Sequence, residues 1–113
     1  MKTGDFGEEL AAKYMEDRGM VILARNYHSR LGEIDIIAMD MDILVFTEVK
    51  TRTNRKYGSA LEAITKAKLL RILKTGEIFM RENDLLDLQL RIDASEVYIE
   101  TSELNYLENV YPY

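Results

Sequence analysis

A mixed β-sheet flanked by helices, an α/β domain, is the fold this sequence predicts. Three observations carry the prediction. Apolar residues recur at helical spacing in two segments, one near the amino terminus and one past the middle. Between them lie three short strand-like runs, each closed by a turn signal. A further strand-like run follows the second helical segment, so a crossover helix joins two strands.

The elements run helix, three strands, helix, then one or two strands. Residues 5–18 form the first helix. Phe6, Leu10 and Tyr14 recur every four residues, as do Ala11 and Met15, and Gly19 suits the C-terminal cap. Residues 20–27 form a strand, Arg30–Gly32 a turn, and residues 33–39 a second strand. Asp40–Asp42 is a tight hairpin into a third strand, residues 43–50, whose run Ile43–Phe46 is apolar on both faces, as in a central strand. Residues 51–57 form a basic loop. Residues 59–82 form a long helix, weakened at Gly76 by roughly 1 kcal/mol relative to alanine. Residues 83–87 are a loop and 88–99 a fourth strand. The acidic, aromatic end, 101–113, either pairs as an edge strand or frays.

The chain has 113 residues, enough for one domain and one core. It has no cysteine, which excludes disulfides, cysteine-held zinc, iron–sulfur clusters and thiol catalysis. His28 is the only histidine, so a serine–histidine mechanism would have to use it. Carboxylates are plentiful, with 20 Asp plus Glu, and with a hard cation such as Mg²⁺ they are the natural tools for chemistry here. No apolar run is long enough to cross a membrane and the first residues, MKTGDFGEEL, carry no signal-peptide core, so the expected location is the cytoplasm.

Charge is unevenly spread. The formal net charge is −5. Yet Lys50, Arg52, Arg55, Lys56, Lys66, Lys68, Arg71 and Lys74 fall in one stretch with a single acid, Glu62. A local basic stretch in an acidic chain suits a nucleic-acid partner. A solvated helix face would look the same.

The chemistry-bearing residues lie on the second and third strands. Residues i and i+2 of a strand share a face. Glu48 and Lys50 therefore share one with Phe46, and Asp35 shares one with Glu33 and Ile37. If these strands pair through Asp40–Asp42, the two carboxylates converge. Buried acids that converge repel one another, and a divalent cation such as Mg²⁺ or Mn²⁺ relieves that repulsion. Lys50 beside such a metal steadies phosphate charge or orients a water, a design for hydrolysing a phosphodiester. A solvent-facing Glu48–Lys50 pair is the plain alternative. Glu8 aligns with the inward residues Ala11 and Met15 and so could complete a metal site, although an acid in a first helical turn also suits the helix dipole. Lys68 interrupts the apolar row Ile64–Lys68–Ile72, where snorkelling to solvent is the plain reading.

Seven motifs stand in one order: G-x-x-G-E at Gly4–Glu8, A-R-N at Ala24–Asn26, G-E-I-D-I-I-A at Gly32–Ala38, F-T-E-V-K-T-R at Phe46–Arg52, Tyr57-Gly58, Lys68, and R-I-D at Arg91–Asp93. Over residues 4 to about 97 the chain resembles the YraN-like family of small prokaryotic proteins. The wider group is the PD-(D/E)xK nucleases, and archaeal Holliday-junction resolvases are similar. The resemblance implies a restriction-endonuclease-like fold and a metal-dependent endonuclease acting on DNA, with branched or damaged DNA as the suggested substrate. It makes Asp35, Glu48 and Glu8 the metal-binding acids, Lys50 the catalytic lysine and Lys68 a second lysine of the site. Arg52, Arg55, Lys56 and Arg71 become candidate nucleic-acid contacts, and a homodimer is expected. A non-catalytic nucleic-acid-binding or assembly module on the same fold is the alternative. The sequence departs from the family at His28, Gly76, Ile92 and Ala94, none of them a metal residue. Arg91 and Asp93 read best as a structural ion pair.

Overall fold

The computed structural model describes residues 3–56 and 64–111. Helix α1 spans Thr3–Asp17. Strands β1, β2 and β3 span Val21–Ser29, Gly32–Asp40 and Ile43–Arg52. Helix α2 spans Lys66–Glu82, and strands β4 and β5 span Gln89–Tyr98 and Glu103–Leu107. The five strands form one sheet in the order β1-β2-β3-β4-β5. Three neighbouring pairs are antiparallel and β3–β4 is parallel, so the sheet is mixed as expected. The carboxyl-terminal segment does pair, as edge strand β5 on β4.

The two helices cover opposite faces. Leu44 and Phe46 of β3 pack with Leu69, Ile72 and Phe79 of α2. Val45, between them, packs with Ala11, Ala12 and Met15 of α1. Alternate side chains of one central strand thus feed two cores, which is why its apolar run is unbroken.

Helix α2 starts later than its periodicity suggests. Thr65 is extended (φ −97°, ψ 164°) and its hydroxyl accepts from the Lys68 N–H, capping the helix. Residues 57–63, including Tyr57-Gly58 and the expected first turn from residue 59, lie outside the described residues. Gly76 also reads differently. A methyl group there would lie 2.2 Å from the Phe46 ring, so glycine lets α2 approach the sheet rather than loosening the helix.

Gly7 plays the same part for α1. A Cβ at Gly7 would meet the Thr51 hydroxyl oxygen at 2.0 Å. Gly7→Ala is expected to destabilise the fold by about 1–3 kcal/mol through overpacking. Adding Thr51→Ala should return most of that loss in denaturant titrations. No recovery in the double variant would show that close packing is not the cause.

Simple alternation fails at two places, the first a register shift in β1 between Ile22, on the α1 core, and Ala24, on the α2 core. Ile34 and Ile37 both join the α2 core, while Ile36 joins the α1 core. On β1, Tyr27 and Ala24 both pack on the α2 side, and Asn26 between them has φ +53°. Asn26 and Asp35 face one another in this stretch without pairing. Both strands therefore carry a local irregularity at the same level, which takes Asp35 out of the regular face it was expected to share with Ile37.

Candidate metal and phosphodiester site

The irregularity opens the sheet. Pairing of β2 with β3 ends at Ile36–Thr47. Beyond it, Asp35 Oδ2 accepts the Val49 N–H at 2.7 Å. A side-chain carboxylate thus does what a strand carbonyl would have done, and it holds Asp35 beside Glu48.

Glu48 is 4% exposed. An isolated carboxylate so buried would be costly, and two ammonium groups offset it. Lys68 Nζ lies 2.7 Å and Lys50 Nζ 3.4 Å from the same oxygen, Glu48 Oε1. Lys68 therefore reaches into the site from α2 instead of snorkelling to solvent. Burial, the largest single effect, works against its charge, but the hydrogen bond to Glu48, the contact with Lys50 and the charges of Glu48 and Asp35 together outweigh it and raise its pKa. Lys50 moves the other way: burial, then the neighbouring Lys68, lowers its pKa against the pull of Glu48.

Burial pushes the Asp35 carboxyl up to about 7, and the Glu48 charge adds to the shift. The bond from Val49 opposes it, while Glu8 and Glu33 reinforce it more weakly. Glu8 points inward as its helical spacing suggested. Its Oε1 is buried and has no hydrogen-bond partner, lying 3.8 Å from Arg25 Nη2. Burial raises the Glu8 pKa against the effects of Asn26 and Arg25. Arg25 is held more closely by Glu9, at 2.5 Å, which leaves Glu8 under-satisfied.

The structure thus draws Asp35, Glu48, Lys50 and Lys68 together and brings Glu8 into their field. It does not close a three-acid cage: among the described residues no cluster of three or more His, Asp or Glu side chains stands ready to hold a metal. The expected cationic contacts divide. Arg52 and Arg71 have exposed side chains. Arg55 is engaged, with Nη2 2.8 Å from Glu103 and its guanidinium 4.2 Å above the Tyr98 ring. Lys56 is exposed, and its N–H donates to Asn54 Oδ1.

Sequence reasoning missed Glu96. It is 3% exposed, stands in register with Lys50, and accepts from Tyr98 Oη and Asn105 Nδ2. Its sequence signal was the i,i+2 pair Glu96–Tyr98 on a strand. The ion pair of Arg91 with Asp93 is present at 3.0 Å. It extends further than expected, through Asp40 at 2.8 Å and through Tyr106 Oη and the Asn109 N–H, which both donate to Asp93.

A family model described as "Uncharacterised protein family UPF0102" matches residues 7–97. The chain belongs to UPF0102. The matched stretch holds every acid and lysine of the site and stops before Tyr98 and the β5 edge. A UPF0102 protein of Clostridioides difficile (strain 630) is 37% identical over 110 residues, covering 97% of this chain and 96% of that protein. One of Clostridium botulinum (strain Loch Maree / Type A3) is 44% identical over 104 residues, covering 91% and 85%. One of Sulfurihydrogenibium sp. (strain YO3AOP1) is 41% identical over 110 residues, covering 97% and 94%. These UPF0102 members thus align with this chain over most of their own length. Among the described residues, no helix is long and apolar enough to cross a membrane.

Proposed function

We propose that this UPF0102 member is a metal-dependent endonuclease, hydrolysing phosphodiester bonds of DNA with Mg²⁺ or Mn²⁺. The observation that carries the reading is the convergence of two acids, the buried Glu48 and the half-buried Asp35, where β2 and β3 part, with Lys50 beside them. A binding surface has no need to bury mutually repelling carboxylates.

The donor set fits a small hard cation. Mg²⁺ is commonly held by one or two carboxylates, with water and substrate phosphate completing its shell. Asp35 and Glu48 would supply those carboxylates, and the partnerless oxygen of Glu8 suits a bond through water. Bound there, the metal would acidify a water and polarise the phosphoryl group. Lys50 can hold its proton against phosphate charge or steer the attacking water. Lys68, through Glu48, positions the acid. Arg52 and Arg71 are free to meet phosphates, which gives recognition by backbone and shape rather than by base sequence.

One observation favours a second reading, a nucleic-acid-binding module without turnover: both lysines already neutralise Glu48. A single experiment separates the two. Duplex, single-stranded, flapped and four-way-junction DNA are incubated with Mg²⁺ or Mn²⁺, with chelator, and with Glu48→Ala. Metal-dependent cutting lost in the variant is the expected result. Binding of one structure without cutting by either protein would transfer the conclusion to the module. Equal cutting by parent and variant would remove the site altogether.

A further inference from the structure

The end of the molecule away from the acids carries a second surface. A groove of about 450 Å³ opens between β1, β2 and the carboxyl-terminal end of α2, lined by Leu23, Met39, Phe79, Asn83, Leu85 and Leu88. Exposed apolar side chains adjoin this end of the fold. Val21 is 61% exposed, Leu86 56% and Met41 91%. Ile43, which follows the Met41–Asp42 turn, is separated from Glu48 by roughly 16 Å of strand. The groove is therefore distinct from the candidate site.

Met41 is the telling residue. It has φ +57° at the tip of the β2–β3 hairpin, a conformation that favours Gly, Asn or Asp. A methionine there is both conformationally unfavourable and almost wholly in water. Neither the hairpin nor the core needs it. Exposed methionines are common on adaptable binding surfaces.

The charge around this end says what would cover it. Asp84 and Asp87 sit in the loop that supplies Asn83, Leu85 and Leu88, and Asp42 sits beside Met41. All three are exposed, and among the described residues none of them forms a salt bridge, whereas Asp40 is held by Arg91. Nucleic acid is repelled by such a rim. A second copy of the chain would bring the same acids against themselves across a two-fold axis.

We propose that this groove docks a basic amphipathic helix of a partner protein, its apolar face on Leu23, Phe79 and Met41 and its Lys or Arg residues against Asp42, Asp84 and Asp87. This is helix-in-groove recognition with a charged rim. It gives an acidic chain a way to be brought to a target without using its basic end, and it stands whether or not the acids cut DNA.

The test uses the full chain and two fluorescein-labelled peptides of about 16 residues, long enough for an amphipathic helix. Both carry the same leucine face, one with Lys and one with Glu at the polar positions. The Lys peptide should bind saturably in anisotropy titrations, and the Glu peptide at least about tenfold more weakly. Met41→Gly should weaken the Lys peptide several-fold with Tm unchanged or raised, since it relieves the left-handed turn. Asp84→Asn with Asp87→Asn should weaken it and flatten its salt dependence. Equal binding of both peptides, no saturable binding, or full affinity in Met41→Gly and Leu23→Glu would overturn the proposal. So would sedimentation showing a dimer that Leu23→Glu dissociates.

Discussion

Asp35→Asn is expected to lower metal-dependent cleavage by about a thousandfold, near 4 kcal/mol of transition-state stabilisation. The same variant should be more stable than its parent at pH 8. The asparagine carbonyl can still accept the Val49 N–H, so the sheet is kept while the charge is lost. The pH dependence follows from the raised carboxyl. In the folded chain Asp35 titrates at about 7 against an ordinary value of 3.8. Between those values the folded chain holds a proton that the unfolded chain has released. Stability therefore falls as pH rises from about 4 to about 7, and the penalty is fully present above that. Its size is on the order of 4 kcal/mol for a carboxyl moved from 3.8 to about 7. The variant's denaturant midpoint should exceed the parent's by clearly less at pH 5 than at pH 8. Equal separation at both pH values would refute this account of Asp35.

Arg91→Ala should be the most damaging single change outside the site, at about 3–5 kcal/mol. Asp93 is fully buried, and Arg91 meets it through Nε and Nη2 while Nη1 holds Asp40. Truncation leaves the Asp93 charge with only the Tyr106 hydroxyl and the Asn109 N–H as donors. Because domains of this size have about 5–15 kcal/mol in total, the variant should unfold at much lower urea. Adding Asp93→Asn removes the stranded charge, so the double variant should lose less than the two single losses combined. Strict additivity would show that the two residues do not act as a pair.

Much of this was legible in the sequence because periodicity survives into the fold. Glu8 faces inward for the reason Ala11 and Met15 do. Glu48, Lys50 and Phe46 share a face as alternation requires. Asp35 was found for a reason only half right: it meets Glu48 because the strands part there, and alternation cannot report a paired irregularity at Asn26 and Asp35. The Lys68–Glu48 bond depends on how closely α2 approaches the sheet, which Gly76 permits through contact with Phe46. Sequence shows the glycine but not the ring above it. The pair Glu96–Tyr98 is readable on its strand, but only the parallel register sets Glu96 beside Lys50. The acid network of Arg91 needed the return of the last segment, which brings Tyr106 and Asn109 onto a strand that precedes them in the chain.

The bond between Asp35 and the Val49 amide has a consequence of its own. One backbone proton of the sheet is shared with the candidate site, so the two cannot change independently. Loss of the Asp35 proton strengthens the acceptor that this amide sees, and any cation that draws on the carboxylate weakens it. The Val49 nitrogen and proton resonances, followed through a pH or metal titration, then give a spectroscopic record of occupancy from an atom that takes no part in the chemistry.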